Sequence, residues 1–430
     1  MVDPILLESI TQRETDSFAA TIFRLDHGLT VIHQHVPVTP VVVVDVWIDA
    51  GAIAEPDEWT GMAHFLEHMI FKGTRDIPPG LFDYLIENRG GMTNAATSHD
   101  YAHFYLTTSV DRIGDTLPLL AEILLRAEIA DEEFYREKDV VLEELRSCYD
   151  DPDWIAYQTL LETIYRAHPY GRSILGDTAS LARLTPNQMR CFHRTHYRPE
   201  KMTVAIVGGI DRQQALSLIE SAFGEFPAPG ECPPANVEAE PPPIEIRRSR
   251  LYLPGLEHSR LLAGWVGPGI DRLEDAFGLD VLSVILAGGR CSRLVRHLRE
   301  ELRIVLDIES NFSLQRDSGL FTVGAWLSSS RISEVEAIVR EHITDLQHHP
   351  VTDEELHRAK RLLCNDYIFT TETPGQLAGL YGYYQTLKDA RLAVLYPETI
   401  REFQPRDLQR LARQYLSPER YAITILQPCE

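Results

Sequence analysis

The chain repeats itself. Residues 129–152, IADEEFYREKDVVLEELRSCYDDP, align without gaps on residues 351–374, VTDEELHRAKRLLCNDYIFTTETP, at an offset of 222. Asp131, Glu132, Glu133, Arg136, Lys138 and Pro152 recur as Asp353, Glu354, Glu355, Arg358, Lys360 and Pro374. Residues 184–207 align on 403–426 at an offset of 219, where Pro186, Arg194, Pro199 and Glu200 recur as Pro405, Arg413, Pro418 and Glu419. Two matches in the same order at nearly one offset point to tandem duplication of a whole domain. Between the copies, residues 226–243 read FPAPGECPPANVEAEPPP, a stiff Pro-rich linker. The expected organisation is therefore a first domain over 1–225, a linker over 226–243 and a homologous second domain over 244–430.

Each copy reads as α+β. The first offers strands at Gly28–Val36, Val41–Ile48, Ala102–Thr108 and Met202–Val207. Val41–Ile48 is β-branched and nearly continuous, the pattern of a strand buried on both faces. Helices are expected at Gly61–Phe71, Gly80–Arg89, Val110–Arg126, Asp131–Cys148, Trp154–Tyr165, Pro186–His196 and Arg212–Phe223. Asp131, Glu132 and Glu133 place carboxylates in a first turn, where the helix dipole favours them. Strands separated by helix pairs predict a mostly antiparallel sheet in each copy with helices packed on one side.

Charge excludes one class of partner. Lys+Arg is 41 against Asp+Glu 64, a net −23, and a nucleic-acid binder needs clustered cations. The acidity suits solubility, and equally a cleft that attracts cationic peptides. Six cysteines lie scattered with no C-x-x-C pair, so reduced thiols are expected. Met1-Val2-Asp3-Pro4 lacks the basic and apolar regions of a signal peptide. Apolar runs such as Val41–Trp47 are too short for a membrane span. The expected location is cytoplasmic.

The segment GMAHFLEHMIFKGT holds His64, Glu67 and His68 in the spacing H-x-x-E-H. Four helical residues turn about 400° and rise about 6 Å, so the two imidazoles share one face and can grip one metal ion. Glu67, between them, is free to act on a metal-bound water; this is the inverted form of the H-E-x-x-H zinc motif. His99 and His103 have the same spacing but lead into a strand, where about 13 Å would separate them. A catalytic zinc needs a third protein ligand. The helix Asp131–Cys148 offers Glu137 and Glu144, two turns apart on one face, while Glu143 points elsewhere. One of the pair can bind metal and the other support it. Alternatively, these acids form a charged helix face paired with Lys138 and Arg146.

H-x-x-E-H followed by a glutamate in EKDVVLEEL resembles the M16 (pitrilysin) family of metallopeptidases. The two-copy layout and Pro-rich linker are similar to its mitochondrial-processing-peptidase-like subfamily, whose subunits pair as halves of a clam shell. The resemblance implies one Zn²⁺ per chain on His64, His68 and Glu144, with Glu67 as general base and Glu137 as supporting carboxylate. It also implies that GGMTNAATSHDYAHFYL is a substrate-edge strand contacting peptide through Asn94 and Ala95, with Phe71 beside the P1′ side chain.

The second copy departs from this pattern. His64, Glu67 and His68 fall on Val281, Val284 and Ile285, and Glu137 and Glu144 fall on Ala359 and Asp366, so no second zinc site is expected. The family's second domain often carries an Arg and a Tyr seven residues apart that touch peptide. Here Arg299 is retained and the tyrosine position is Leu306. The expectation is a zinc endopeptidase for short or unfolded peptides, the metal-carrying subunit of a heterodimer with a homologous chain, a homodimer being the alternative. The alternative function is a non-catalytic scaffold subunit.

Overall fold

A computed structural model describes residues 18–429. The signal-peptide reading of residues 1–4 lies outside them. The chain forms two compact units that are not continuous in sequence. The first takes residues up to Leu145, Ser173–Asn236 and Thr370–Leu395; the second takes Arg146–Arg172, Val237–Phe369 and Tyr396 onward.

The first unit is built on β1 (Thr21–Arg24), β2 (Thr30–His35), β3 (Val41–Ile48), β4 (Met92–Thr97), β5 (Ala102–Ser109) and β6 (Met202–Gly208). They lie in the order β1-β2-β6-β3-β5-β4. The second sheet holds β7 (Arg247–Leu253), β8 (Ser259–Pro268), β9 (Val305–Ser313), β10 (Ser318–Leu327) and β11 (Ala422–Pro428), ordered β7-β11-β8-β10-β9. Each sheet has one parallel pair, β2–β6 and β7–β11, and is otherwise antiparallel. The α+β class expected from the sequence holds.

Helices α1 (Met62–Ile70) and α2 (Asp131–Cys148) carry the motif residues; α3 (Pro152–Ile164), α4 (Asp353–Phe369) and α5 (Pro374–Leu387) follow. The repeat makes α5 the counterpart of α3. Both open on a proline at the first helical turn, capped by the Asp151 carboxylate in α3 and by a Thr373–Gln376 capping box in α5. Yet α5 packs on β3 and β6 in the first unit, and α3 on β8 and β11 in the second. The copies have exchanged this helix, so the compact units differ from a division at residues 225 and 244. The linker supplies both units: Cys232 N–H donates to Thr195 Oγ1 in the first, and the Glu240 carboxylate accepts from Ala167 N–H in the second.

The exchange explains why β3 is buried on both faces. Val46 pairs with Phe104 across β5 on the face that meets Phe71, just after α1. Val43, Asp45 and Trp47 point the other way, against Gly375, Gly379 and Gly382 of α5. Helices thus cover both faces of this sheet, where the sequence predicted cover on one. A Cβ at Gly382 would lie 2.1 Å from Trp47 Nε1, so only glycine permits this approach.

Candidate metal centre

Helix α1 is fixed at its N-terminus by a buried carboxylate. Glu55 Oε2 accepts the Gly61 N–H at 2.9 Å and its Oε1 the Ala63 N–H at 2.7 Å. This satisfies two of the helix's orphan donors and places negative charge at the positive end of its dipole. Gly61 at φ 90° makes the turn into the helix, a left-handed conformation natural to glycine. Met62, Phe65, Leu66, Met69 and Ile70 are buried, leaving one stripe with His64, Glu67 and His68.

Helix α2 meets that stripe. Phe134, Glu137, Val141 and Leu145 form its buried face, and Glu144 lies beside it, half-buried, while Glu143 is exposed. Lys138 does not pair with these acids: its Nζ donates to the carbonyls of Ala182 and Leu184 at 3.3 and 2.8 Å. Ligand atoms of His64, His68 and Glu144 lie within 4.8 Å of one another, and no other such group of three occurs among the described residues. Glu144 Oε2 stands 3.2 Å from His68 Nε2 and 3.7 Å from His64 Nε2, yet is aligned as a hydrogen-bond acceptor to neither and is buried.

This donor set fits zinc. Tetrahedral ligands about 2.1 Å from a shared zinc stand about 3.4 Å apart, and the two separations from Glu144 Oε2 bracket that value, with all three ligand atoms inside 4.8 Å. Glu137 Oε1 lies 3.0 Å from His68 Nδ1. With the proton on Nδ1, the Nε2 lone pair faces a carboxylate oxygen, an arrangement that needs a cation or a second proton between them. Without metal, a proton serves. Burial disfavours the charged His68 imidazole, but its contacts with Glu137 and Glu144 prevail and raise its pKa to about 9. Burial holds His64 down to about 4, neutral and able to ligate. The contact with His68, ahead of burial, keeps Glu144 below the usual carboxylate range. A metal entering here would release the His68 proton.

Glu67 is placed differently. Its Oε2 accepts the Thr97 hydroxyl at 2.6 Å, and burial raises its pKa. Thr97 ends β4, one of the two edge strands of the first sheet. Ala95 shares the Thr97 face, and Asn94, on the opposite face, is exposed with its Oδ1 accepting the Ala95 N–H at 2.9 Å. Phe71 closes α1 with its ring 5.9 Å from Phe82 and 6.0 Å from Phe104. Arg299 belongs to the second unit, where it pairs with Asp307 at 2.9 Å and Glu300 at 3.1 Å. His103 makes no metal chelate; its Nδ1 meets Asp45 Oδ1 at 3.0 Å. Sequence reasoning missed Thr97, whose role depends on a strand meeting a helix. It also missed Lys72, four residues after His68, although that spacing is visible.

Fold and site together define a class: a duplicated α+β protein whose first copy alone gathers two histidines and a glutamate able to hold a metal. Residues 30–178 match the family model described as insulinase (peptidase family M16), and residues 183–363 the one described as peptidase M16 inactive domain. The chain belongs to the M16 peptidase family. It is 26% identical over 409 residues to an uncharacterized zinc protease, YmxG, from Bacillus subtilis, covering 94% of this chain and 98% of that one. It is 27% identical over 410 residues to the zinc protease PqqE of Helicobacter pylori, covering 94% and 92%. The solved structure of a protease from Helicobacter pylori superposes with a TM-score of 0.88 at 26% identity, over 95% of this chain and 99% of that one. No helix among the described residues is long and apolar enough to cross a membrane.

Proposed function

We propose that the chain is a zinc-dependent endopeptidase of the mitochondrial-processing-peptidase-like branch, acting on short or unfolded peptides in the cytoplasm. The observation that carries this reading is the convergence of His64, His68 and Glu144 beside the buried, Thr97-bonded Glu67. His64, His68 and Glu144 would hold one zinc, and Glu137 would orient His68. A zinc held there would supply Lewis acidity toward a water and a scissile carbonyl. Glu67, with its proton affinity raised by burial, takes the water's proton and passes it to the leaving amine. The hydroxyl of Thr97 holds its carboxylate in place between the two transfers. Substrate would add as a strand along the free edge of β4, with Asn94, Ala95 and Phe71 as contacts; Arg299 is a separate peptide contact proposed for the second domain.

The names of the relatives support peptidase chemistry. The second copy supports a single site: Val281 and Ile285 are buried apolar residues where the histidines would be, Ala359 is buried, and Asp366 is exposed. Leu306 supports a heterodimer. It stands on edge strand β9, 59% exposed, with no hydroxyl to offer a peptide, so a homologous partner would supply that contact. A scaffold role would leave the catalytic set without use. Hydrolysis of a quenched peptide by wild type and Glu67→Gln tests the reading. The variant is expected to keep zinc and lose about 10²- to 10⁴-fold in rate; near-normal turnover would sink the mechanism.

A further inference from the structure

Four residues beyond His68, the chain places Lys72 where neither the metal ligands nor the general base requires a residue. Lys72 Nζ lies 2.8 Å from Glu137 Oε2, while the other oxygen of that carboxylate faces His68 Nδ1 at 3.0 Å. The Glu137 side chain is only 8% exposed, so its charge has little water to stabilise it. Burial pushes its pKa up, and the contacts with His68 and Lys72 bring it below the ordinary value. One carboxylate is thus divided between a donor that must be oriented and a cation that holds it.

We infer that Lys72 is a positioning residue for the metal centre: by clamping Glu137 Oε2 it aims Oε1 at His68 Nδ1, so that His68 presents Nε2 toward His64 and Glu144. This rests on the zinc reading above. The geometry has a local cause. His68 and Lys72 are four apart and α1 ends at Ile70, with Lys72 N–H still bonded to the Met69 carbonyl at 3.1 Å. The lysine therefore leaves the helix on the side of His68, toward α2. Without the clamp, the carboxylate is free to rotate, and a His68 ring that loses its acceptor can flip and bury Nε2. Against this stands the repulsion between an ammonium and a nearby dication, which removal of Lys72 would relieve. The 2.8 Å ion pair neutralises that ammonium, so loss of orientation is the larger effect.

A competition titration against a chromophoric zinc chelator decides the matter, using the full chain with Lys72→Met, Lys72→Arg, Glu137→Gln and the Lys72→Met/Glu137→Gln pair. Loss of a partner behind a metal ligand costs about 10–100-fold in affinity. Lys72→Met is expected to weaken zinc binding on the order of tenfold, Lys72→Arg to restore it to within about threefold, and Lys72→Met to add almost nothing once Glu137 is Gln. Lys72→Gln, which keeps most of the stem, replaces the Met variant should that one fail to fold. Unchanged or tighter zinc binding in Lys72→Met, with Glu137→Gln weakened, would overturn the inference. So would losses that multiply in the double variant, since Lys72 would then act by a route other than Glu137. A wild-type chain that binds no zinc would instead overturn the zinc reading itself.

Discussion

Exchange of a helix between the two halves of the chain has a consequence that one methyl group can test. In α5, a Cβ added at Gly382 would meet Trp47 Nε1 at 2.1 Å, Cδ1 at 2.2 Å and Cε2 at 2.5 Å. Trp47 cannot step aside easily. It is 3% exposed, stacked on His103 at 4.3 Å between ring centroids, and tilted against Tyr101 at 4.6 Å. Overpacking of this kind costs about 1–3 kcal/mol, and the better helix propensity of alanine returns up to about 1 kcal/mol. Gly382→Ala should therefore destabilise the first unit by about 1–2 kcal/mol. For a unit of about 200 residues, that lowers the midpoint of thermal unfolding by about 2–8 °C. One turn earlier the result should reverse: a Cβ at Gly379 would stand 3.9 Å from Asp45 Oδ2, an ordinary contact. Gly379→Ala should leave stability unchanged or raise it by about 0.4–1 kcal/mol. The assay is thermal and urea unfolding followed by tryptophan fluorescence. Gly382→Ala as stable as Gly379→Ala would refute the close packing of α5 on β3.

Acid stability should depend on the second unit. Glu355 receives a two-pronged contact from Arg293, at 2.7 and 2.9 Å. Burial alone would raise its pKa, but Arg293 and Thr352 outweigh it and hold the group down to about 2. A depressed carboxyl contributes stability that is present above its ordinary pKa of 4.5 and is lost as pH falls toward 2. That contribution is at most about 3 kcal/mol, and Glu355→Gln should remove this part of the slope in urea melts across pH 5 to pH 2. The net charge of −23 predicts faster cleavage of basic than of acidic peptides, an advantage that shrinks as salt shortens the Debye length below about 8 Å. Equal rates across a salt series would leave the acidity to solubility alone. The lone chain should be a weak peptidase that gains from Leu306→Tyr or from a homologous partner; full activity of the lone chain, unchanged by Leu306→Tyr, would count against the heterodimer.

What could be read in advance was local or repeated. H-x-x-E-H on a helix is a rule of spacing, so His64, Glu67 and His68 sharing a stripe followed from helical geometry. Glu137 and Glu144 shared a face for the same reason, and the exposed Glu143 separates from them as rotation by about 100° requires. The short strand β1 went unseen because four residues carry too little periodicity to register. Exchange of α3 and α5 was hidden because a repeat reports ancestry and not which sheet a helix covers. The three glycines of α5 are its only trace, and they became legible once Trp47 stood opposite. Thr97 and Lys72 were missed for related reasons. A hydroxyl on an edge strand means nothing until a helix delivers Glu67 to it, and a lysine at a helix end normally reads as solvated surface.

The most direct measurement is zinc stoichiometry by elemental analysis of wild type, Glu144→Gln and Glu143→Gln, each stripped and reloaded under one protocol. Glu144 Oε2 stands 3.2 and 3.7 Å from the two histidine nitrogens, and Glu143 is exposed. One zinc per chain is expected in wild type and in Glu143→Gln, and close to none in Glu144→Gln. Full zinc in Glu144→Gln, or its loss in Glu143→Gln, would contradict the site.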